Sequence, residues 1–179
     1  MGTASTMQIL SEALGLSLPG SALIPAWSGT VQSFARRAGK RILEMIEEEL
    51  TPAKILTKRS FLNAIMVHAA VSGSTNATLH LPAIAAAAGI KITLEDFDEI
   101  HRKIPVLVSL LSSGSWPTQY LYFAGGVPGI MQNIKKYLYL DELTVTGKTL
   151  GENLEELEMN GFSNKVLCFL GIMATNQRI

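Results

Sequence analysis

A run of small polar residues, Ser72–Asn76 (S-G-S-T-N, the knot), has residue types that could bind a small polar ligand. Glycine adopts backbone conformations closed to other residues, so neighbouring hydroxyl and amide groups can converge on one point. Apolar helical spacing precedes and follows the knot, which would place a helix N-terminus with unpaired N–H groups beside it. The alternative is a plain connection between two helices, with Ser74 or Asn76 as the N-cap.

Two glycine motifs also have spacings that could bind a ligand. Gly147-Lys148-Thr149 resembles the end of a phosphate-binding P-loop, but that motif needs a glycine at position 142, which is Glu142. The nucleotide interpretation therefore fails. Gly125-Gly126 before a helix could present N–H groups to a carboxylate, and close packing of two elements explains the pair equally well.

No set of side chains has the spacing of a metal or nucleophile centre, so we predict neither catalytic nor metal-binding residues in this chain. His68, His80 and His101 are not spaced as ligands, and His68 borders an apolar stripe, which favours a packed, hydrogen-bonded core residue. A single cysteine, Cys168, excludes an internal disulfide and a multi-cysteine cluster.

The composition limits the class of protein. A chain of 179 residues with 47% apolar residues suits one domain with a real core. The formal net charge is zero, which gives no reason to propose a nucleic acid or an anionic membrane as partner. No apolar run is long enough to span a membrane, and no signal peptide begins the chain. We expect a cytoplasmic protein.

Helical patterns dominate the first hundred residues. A helix with a hydroxyl N-cap should end at Gly15, and further helices should cover about 28–50, 58–71 and 93–102. Thr93 and Asp96 have the spacing of a capping box. The 28–50 helix has one apolar face, predicted to be buried, which consists of Val31, Phe34, Ala35, Ala38, Ile42, Met45 and Ile46.

The charged residues of the same helix lie on its other faces. Arg36, Arg37, Lys40 and Arg41 favour a solvated surface, with contact to an anion as the alternative. The glutamates at 44 and 47–49 favour a solvated surface as well. Three short apolar runs, 106–111, 120–123 and 143–146, are typical of buried strands.

Four blocks in order resemble the dihydroxy-acid and phosphogluconate dehydratase family. They are the knot with A-T-L-H-L behind it, M-G-T-A-S-T-M at 1–7 with A-L-G-L-S-L-P-G-S at 13–21, A-G-G-V-P at 124–128, and L-T-V-T-G-K-T-L-G-E-N at 143–153. The resemblance implies an α/β fold, specifically a helix-rich part of the family's N-terminal domain with a few short, mainly parallel strands. It divides the chain into a partial dehydratase domain, 1–154, and a divergent tail, 155–179.

The family dehydrates a 2,3-dihydroxy acid to a 2-keto acid. An iron–sulfur cluster, either 2Fe-2S or 4Fe-4S, and Mg²⁺ polarise the substrate while a base removes a proton. The family's cluster cysteines, Mg²⁺ carboxylates and base have no counterparts in this chain. The resemblance therefore implies a hydro-lyase fragment, inactive alone and holding neither cofactor, which begins within a domain.

The residues of this chain that match the family's blocks would line the substrate pocket. Gly2, Thr3, Ala4, Ser5 and Thr6 would lie beside the cluster, and Ser74, Thr75 and Asn76 would face the substrate, or any of them could be structural caps. L-H-L-P-A-I-A at 79–85 favours the sugar-acid branch, with an aldonate such as xylonate as substrate. A branched-chain dihydroxy acid of amino-acid biosynthesis is the alternative. We expect a homo-oligomer, or a non-catalytic module that associates with itself through apolar surface.

Overall fold

All regular elements of residues 1–161, the part of the chain that the computed structural model describes, are helices. The helices are α1 (Thr3–Ala13), α2 (Thr30–Glu47), α3 (Pro52–Ile55), α4 (Lys58–Ala70), α5 (Ala77–Ala87), α6 (Leu94–His101), α7 (Gln119–Phe123), α8 (Gly126–Asn133) and α9 (Leu150–Met159), with one 3₁₀ turn at Lys135–Tyr137.

Local sequence sets several helix starts. Thr57, Thr93 and Thr149 each accept a hydrogen bond from the backbone N–H three residues later, and each belongs to a capping box. The box at Thr93 confirms the prediction. The predicted hydroxyl cap of α1 is wrong, because the N-cap position is occupied by Gly2, which has no side chain to cap the helix. The hydroxyl groups of the first turn are thus available for other contacts.

Helix α4 lies at the centre of the core. Ten of its 13 residues are buried, including Phe61, Ile65 and Val67. It packs against α1, α5, α6 and α8, because apolar residues cover most of its circumference. Consequently the knot, which follows its last turn, is attached directly to the centre of the core.

The three predicted strands are wrong. Residues 120–123 lie in α7, while 106–111 and 143–146 are irregular, with isolated bridges from Leu110 to Trp116 and from Leu143 to Thr149. Short apolar runs do not distinguish a strand from a buried helical turn or an apolar loop. Residues 1–161 therefore support the helix-rich part of the α/β prediction and contain no parallel strands.

The predicted burial of the α2 face is also wrong. Only Met45 is buried, and it packs with Leu50, Ile55 and Val145 in a small second core. Val31, Ala35, Ala38, Ile42 and Ile46 are all exposed, and Phe34 is half-buried. The amphipathic spacing was correct, but among the described residues no element covers the face.

The predicted tail, 155–179, lies mostly outside the described residues, as does Cys168. Its first residues continue α9 as far as Met159. Within residues 1–161, no helix combines the length and the hydropathy that crossing a membrane would require.

Candidate functional site

The knot makes a tight turn between α4 and α5. Ser72 has a φ of 50°, in the left-handed region that is unfavourable for a residue with a side chain. At Gly73, a Cβ atom would lie 2.3 Å from Cδ2 of His68. Glycine is therefore required because the histidine ring packs directly against the backbone.

The first turn of α1 meets the knot, although about 70 residues separate them in the chain. The Ser74 amide donates to Oγ1 of Thr6 (3.0 Å), and the Thr6 hydroxyl donates to the Gly2 carbonyl (2.9 Å). The hydroxyls of Thr3 and Ser74 lie 3.1 Å apart, and Nδ2 of Asn76 donates to Oγ1 of Thr3 (2.7 Å). The two sets of residues that the family resemblance singled out therefore form one surface.

This surface, the polar wall, consists of Gly2, Thr3, Ser5, Thr6, Ser74, Thr75 and Asn76. Thr6 is fully buried, Ser5 is half-buried on α1, and Thr75 and Asn76 are exposed. Within residues 1–161, the Thr75 amide, the Thr75 hydroxyl and Oδ1 of Asn76 make no hydrogen bond. The wall thus offers both donors and acceptors to a polar ligand.

The N-cap interpretation of the knot is only half right. Asn76 occupies the N-cap position of α5, but its side chain makes no capping bond and instead contacts Thr3. The first N–H groups of α5 are bonded within the turn, with Ala77 donating to the Ser74 carbonyl and Thr78 to the Thr75 carbonyl, both at 3.0 Å. The helix N-terminus itself is therefore not the ligand-binding feature.

His68 lies behind the knot and is buried, as predicted for a packed core histidine. Its Nε2 lies 3.0 Å from the Ser74 carbonyl oxygen, and its Nδ1 lies 3.0 Å from Nε2 of His101. Burial lowers the pKa of His68, and the nearby His101 adds to that effect while the bond to Ser74 opposes it. Burial also lowers the pKa of His101. Both rings therefore favour the neutral form.

An open cavity of about 380 Å³ lies between the knot and α6. Thr75 and Thr78 line one side, and Asp98 and His101 line the other. The cavity adjoins the unbonded groups of Thr75, so a small polar ligand could contact the wall there.

The block at 143–153 lies at the other end of α1. Val145 donates to the Gly15 carbonyl (2.8 Å), and Nδ2 of Asn153 donates to Oγ1 of Thr144 (2.8 Å). Lys148 forms an ion pair with Glu156 (2.6 Å), and Thr149 caps α9. The block has a structural role, which agrees with the exclusion of a P-loop.

Gly125 and Gly126 are both buried, with φ values of 107° and 59°. Their burial at the start of α8 supports close packing over carboxylate binding. The basic cluster of α2 is mostly exposed, but Arg41 contacts Glu44, Glu48 and the Val145 carbonyl.

The described residues do not fit an iron–sulfur cluster or a magnesium ion. Residues 1–161 contain no cysteine, and no group of three or more His, Asp or Glu side chains in them could hold a metal. Ligands for either cofactor would have to come from outside the described residues.

Sequence reasoning missed Glu12, which organises the loop after α1. Its buried carboxylate accepts hydrogen bonds from the Gly20 amide (2.7 Å) and the Ala22 amide (2.8 Å). Burial raises the pKa of Glu12 to about 7, although the backbone N–H groups of residues 20–22 oppose the shift. Its position between apolar Ile9 and Ala13, just before a glycine-rich loop, was the available signal.

Comparison with known proteins gives a consistent picture. The sequence pattern of the family described as "Dihydroxy-acid/6-phosphogluconate dehydratase N-terminal" matches residues 1–153. The chain is 53% identical over 161 residues to the dihydroxy-acid dehydratase of Methanosarcina barkeri. The aligned region covers 89% of this chain and 29% of that protein.

Two bacterial relatives are similar as well. Identity is 45% over 161 residues to the dihydroxy-acid dehydratase of Caldanaerobacter subterraneus, covering 89% of this chain and 29% of the relative. Identity is 44% over 159 residues to the dihydroxy-acid dehydratase of Nitratidesulfovibrio vulgaris, and that alignment covers 88% of this chain and 29% of the relative. The chain thus spans under a third of the length of these relatives.

Proposed function

Because the chain belongs to the dihydroxy-acid and 6-phosphogluconate dehydratase family, whose N-terminal domain it matches, we propose that it supplies part of the substrate pocket of a hydro-lyase. In that pocket the polar wall binds a 2,3-dihydroxy acid during its dehydration to a 2-keto acid. The observation that carries the proposal is the meeting of α1 and the knot, which leaves groups of Thr75 and Asn76 unbonded and exposed.

The preferred substrate is a branched-chain dihydroxy acid of amino-acid biosynthesis. The sequence analysis favoured a sugar acid, but the relatives reported above carry the name dihydroxy-acid dehydratase, which supports the alternative better. Hydroxyl and amide groups suit either carboxylate or hydroxyl oxygens, so the support for the branched-chain acid comes from the names of the relatives.

The family's chemistry also needs an iron–sulfur cluster and Mg²⁺, which supply Lewis-acid assistance. The described residues lack the donors for either group, so their role is confined to binding and orienting the substrate. We therefore expect no turnover from this chain alone. Purified chain that dehydrated 2,3-dihydroxy-3-methylbutanoate without another protein would contradict that expectation.

A chimera tests the proposal directly. Residues 1–153 replace the aligned segment of the Methanosarcina barkeri enzyme, and dehydration of 2,3-dihydroxy-3-methylbutanoate is measured. We expect activity, and we expect Thr75→Val and Asn76→Leu in the chimera to lower kcat/KM by about 10- to 100-fold, the effect of losing one hydrogen bond of about 1–3 kcal/mol. His80→Gln, at an exposed position of α5, is the matched control and should change little.

An active chimera that tolerates both substitutions would show that the wall does not contact the substrate. A folded chimera, loaded with its cofactors, that lacks activity towards the dihydroxy acid would contradict the proposed substrate.

The uncovered face of α2 supports a second proposal, that the chain associates with a second copy of itself. The exposed apolar residues Val31, Ala35, Ala38, Ile42 and Ile46 form one stripe. Pairing two copies through this stripe would remove its apolar surface from water.

A further inference from the structure

His68 connects the last turn of α4 to the knot and to α6. Its Nε2 lies 3.0 Å from the Ser74 carbonyl oxygen, and a carbonyl oxygen only accepts, so Nε2 must carry a proton. In a neutral ring Nδ1 is then an acceptor. It follows that Nε2 of His101, 3.0 Å from Nδ1 of His68, is the donor in the second hydrogen bond.

We propose that His68 and His101 act as positioning residues for the knot. The Ser74 carbonyl sets the tautomer of His68, His101 holds the ring in place through its bond to Nδ1, and the ring held at both nitrogens fixes the Ser74 carbonyl and with it the orientation of Ser74, Thr75 and Asn76. Only the description of these three residues as substrate-facing rests on the proposed function. The hydrogen-bond chain itself rests on the geometry.

The His68 ring is also held sterically. One edge packs so closely on Gly73 that a Cβ atom there would lie 2.3 Å from Cδ2. Phe97 contacts the ring edge-on, with centroids 5.9 Å apart and planes at 87°. Turning the ring over would exchange Nδ1 with a carbon and break the bond to His101. The surroundings therefore favour the one orientation in which both bonds form.

The charged groups around the pair define its response to protons. Asp98 lies near His101 and favours its protonation, while the amino group of Met1, 3.4 Å from the Ser72 carbonyl, disfavours a charge on His68. A first proton can occupy Nδ1 of exposed His101 and leave both hydrogen bonds intact. A second proton would place two N–H groups face to face between the rings, and the bond between them would break.

The first experiment identifies the tautomers in the 179-residue chain. The sequence contains three histidines, so ring nitrogen NMR signals are simple to assign. We expect His68 to be protonated at Nε2 and unprotonated at Nδ1 at neutral pH, whereas exposed His80 averages both tautomers. A His68 ring protonated mainly at Nδ1, or averaging as His80 does, would overturn the inference.

The second experiment compares two isosteres at position 68. The amide nitrogen of glutamine reaches the place of Nε2, whereas asparagine reaches only the place of Nδ1. We expect His68→Asn to shift the amide signals of residues 73–76 and to speed exchange of the Ser74 amide by about tenfold or more, the effect of one lost hydrogen bond. His68→Gln should restore most of both properties, and His80→Gln is the control.

His101→Phe provides a variant that keeps ring bulk if His68→Asn does not fold. It removes the hydrogen bond at Nδ1, so the His68 ring is held by the Ser74 carbonyl alone and the signals of residues 73–76 should shift. Signals unchanged from the His80→Gln control, in His101→Phe and in any folded His68→Asn, would refute the positioning role.

These measurements contain no substrate, so they separate the two proposals. A knot that depends on His68, together with a cofactor-loaded chimera inactive on the dihydroxy acid, would refute the proposed function alone. An active chimera together with a knot insensitive to both histidines would refute the positioning role alone.

Discussion

Thr6 is the buried residue that joins α1 to the knot, and its hydroxyl both accepts from Ser74 and donates to Gly2. Thr6→Val preserves the shape but leaves the Ser74 amide without its acceptor. We expect the free energy of unfolding to fall by about 1–3 kcal/mol, the cost of an unsatisfied buried donor. Urea unfolding measures the loss. Thr6→Ser keeps the hydroxyl and is the matched control, so equal losses in the two variants would contradict the assigned role.

The buried carboxyl group of Glu12 should make the stability of the fold depend on pH. Folding raises its pKa from the ordinary value of 4.5 to about 7, so the folded state binds the proton more tightly than the unfolded state. The contribution of Glu12 to stability is therefore greatest below pH 4.5 and declines as the pH rises to about 7, by on the order of 3 kcal/mol.

Glu12→Gln removes this titration. We expect the difference in unfolding free energy between wild type and variant to shrink, or to reverse in favour of the variant, across that pH range. Comparing the two proteins cancels the titration of His68 and His101. A difference that is constant with pH would show that the carboxylate does not titrate there.

At the scale of elements, Asn63 ties α4 to the loop before α9. Its buried amide donates to the Tyr139 carbonyl and accepts from the Tyr139 amide, both at 2.8 Å. Asn63→Ala leaves both backbone groups unpaired and opens a small cavity, so we expect a loss of about 2–4 kcal/mol in thermal or urea unfolding. The control, Asn133→Ala, removes one exposed amide bond to Gly129 and should cost far less. Similar losses would contradict the bracing role.

Helices were predictable from the sequence where both their spacing and their ends are encoded locally. Thr93 and Asp96 cap α6 as expected, and the apolar period of α4 matches its buried surface. Residues 120–123 were misassigned as a strand, because a short apolar run fits a buried helical turn just as well. The period of α2 was correct, but no pattern within one helix tells whether a neighbour covers it.

The sequence suggested which residues could form the candidate site, and their role stays a prediction, but it did not suggest how they come together. The types of Ser74, Thr75 and Asn76 pointed to a polar site, and the family resemblance added the first turn of α1. Their contact is long-range, since Thr3 and Asn76 are joined across 73 positions, and no local rule predicts such a pairing. The pairing of His101 with His68 was not predicted, because the two residues lie 33 positions apart on different helices.

At the scale of the whole molecule, the exposed face of α2 carries the prediction that the chain associates with a second copy of itself. Ile42 and Ile46 are 52% and 68% exposed, so burying them against a second copy would remove apolar surface from water. We expect sedimentation or light scattering to show a concentration-dependent dimer.

The double variant Ile42→Glu/Ile46→Glu should be a monomer whose thermal stability matches that of wild type diluted to its monomeric range, because both side chains are exposed in the single chain. Leu79→Glu is the matched control, since Leu79 is 70% exposed on α5 and lies outside the α2 stripe. It should leave the dimer intact. A wild-type chain that stays monomeric as concentration rises would refute self-association, and a dimer that survives the α2 substitutions would place the interface on another surface.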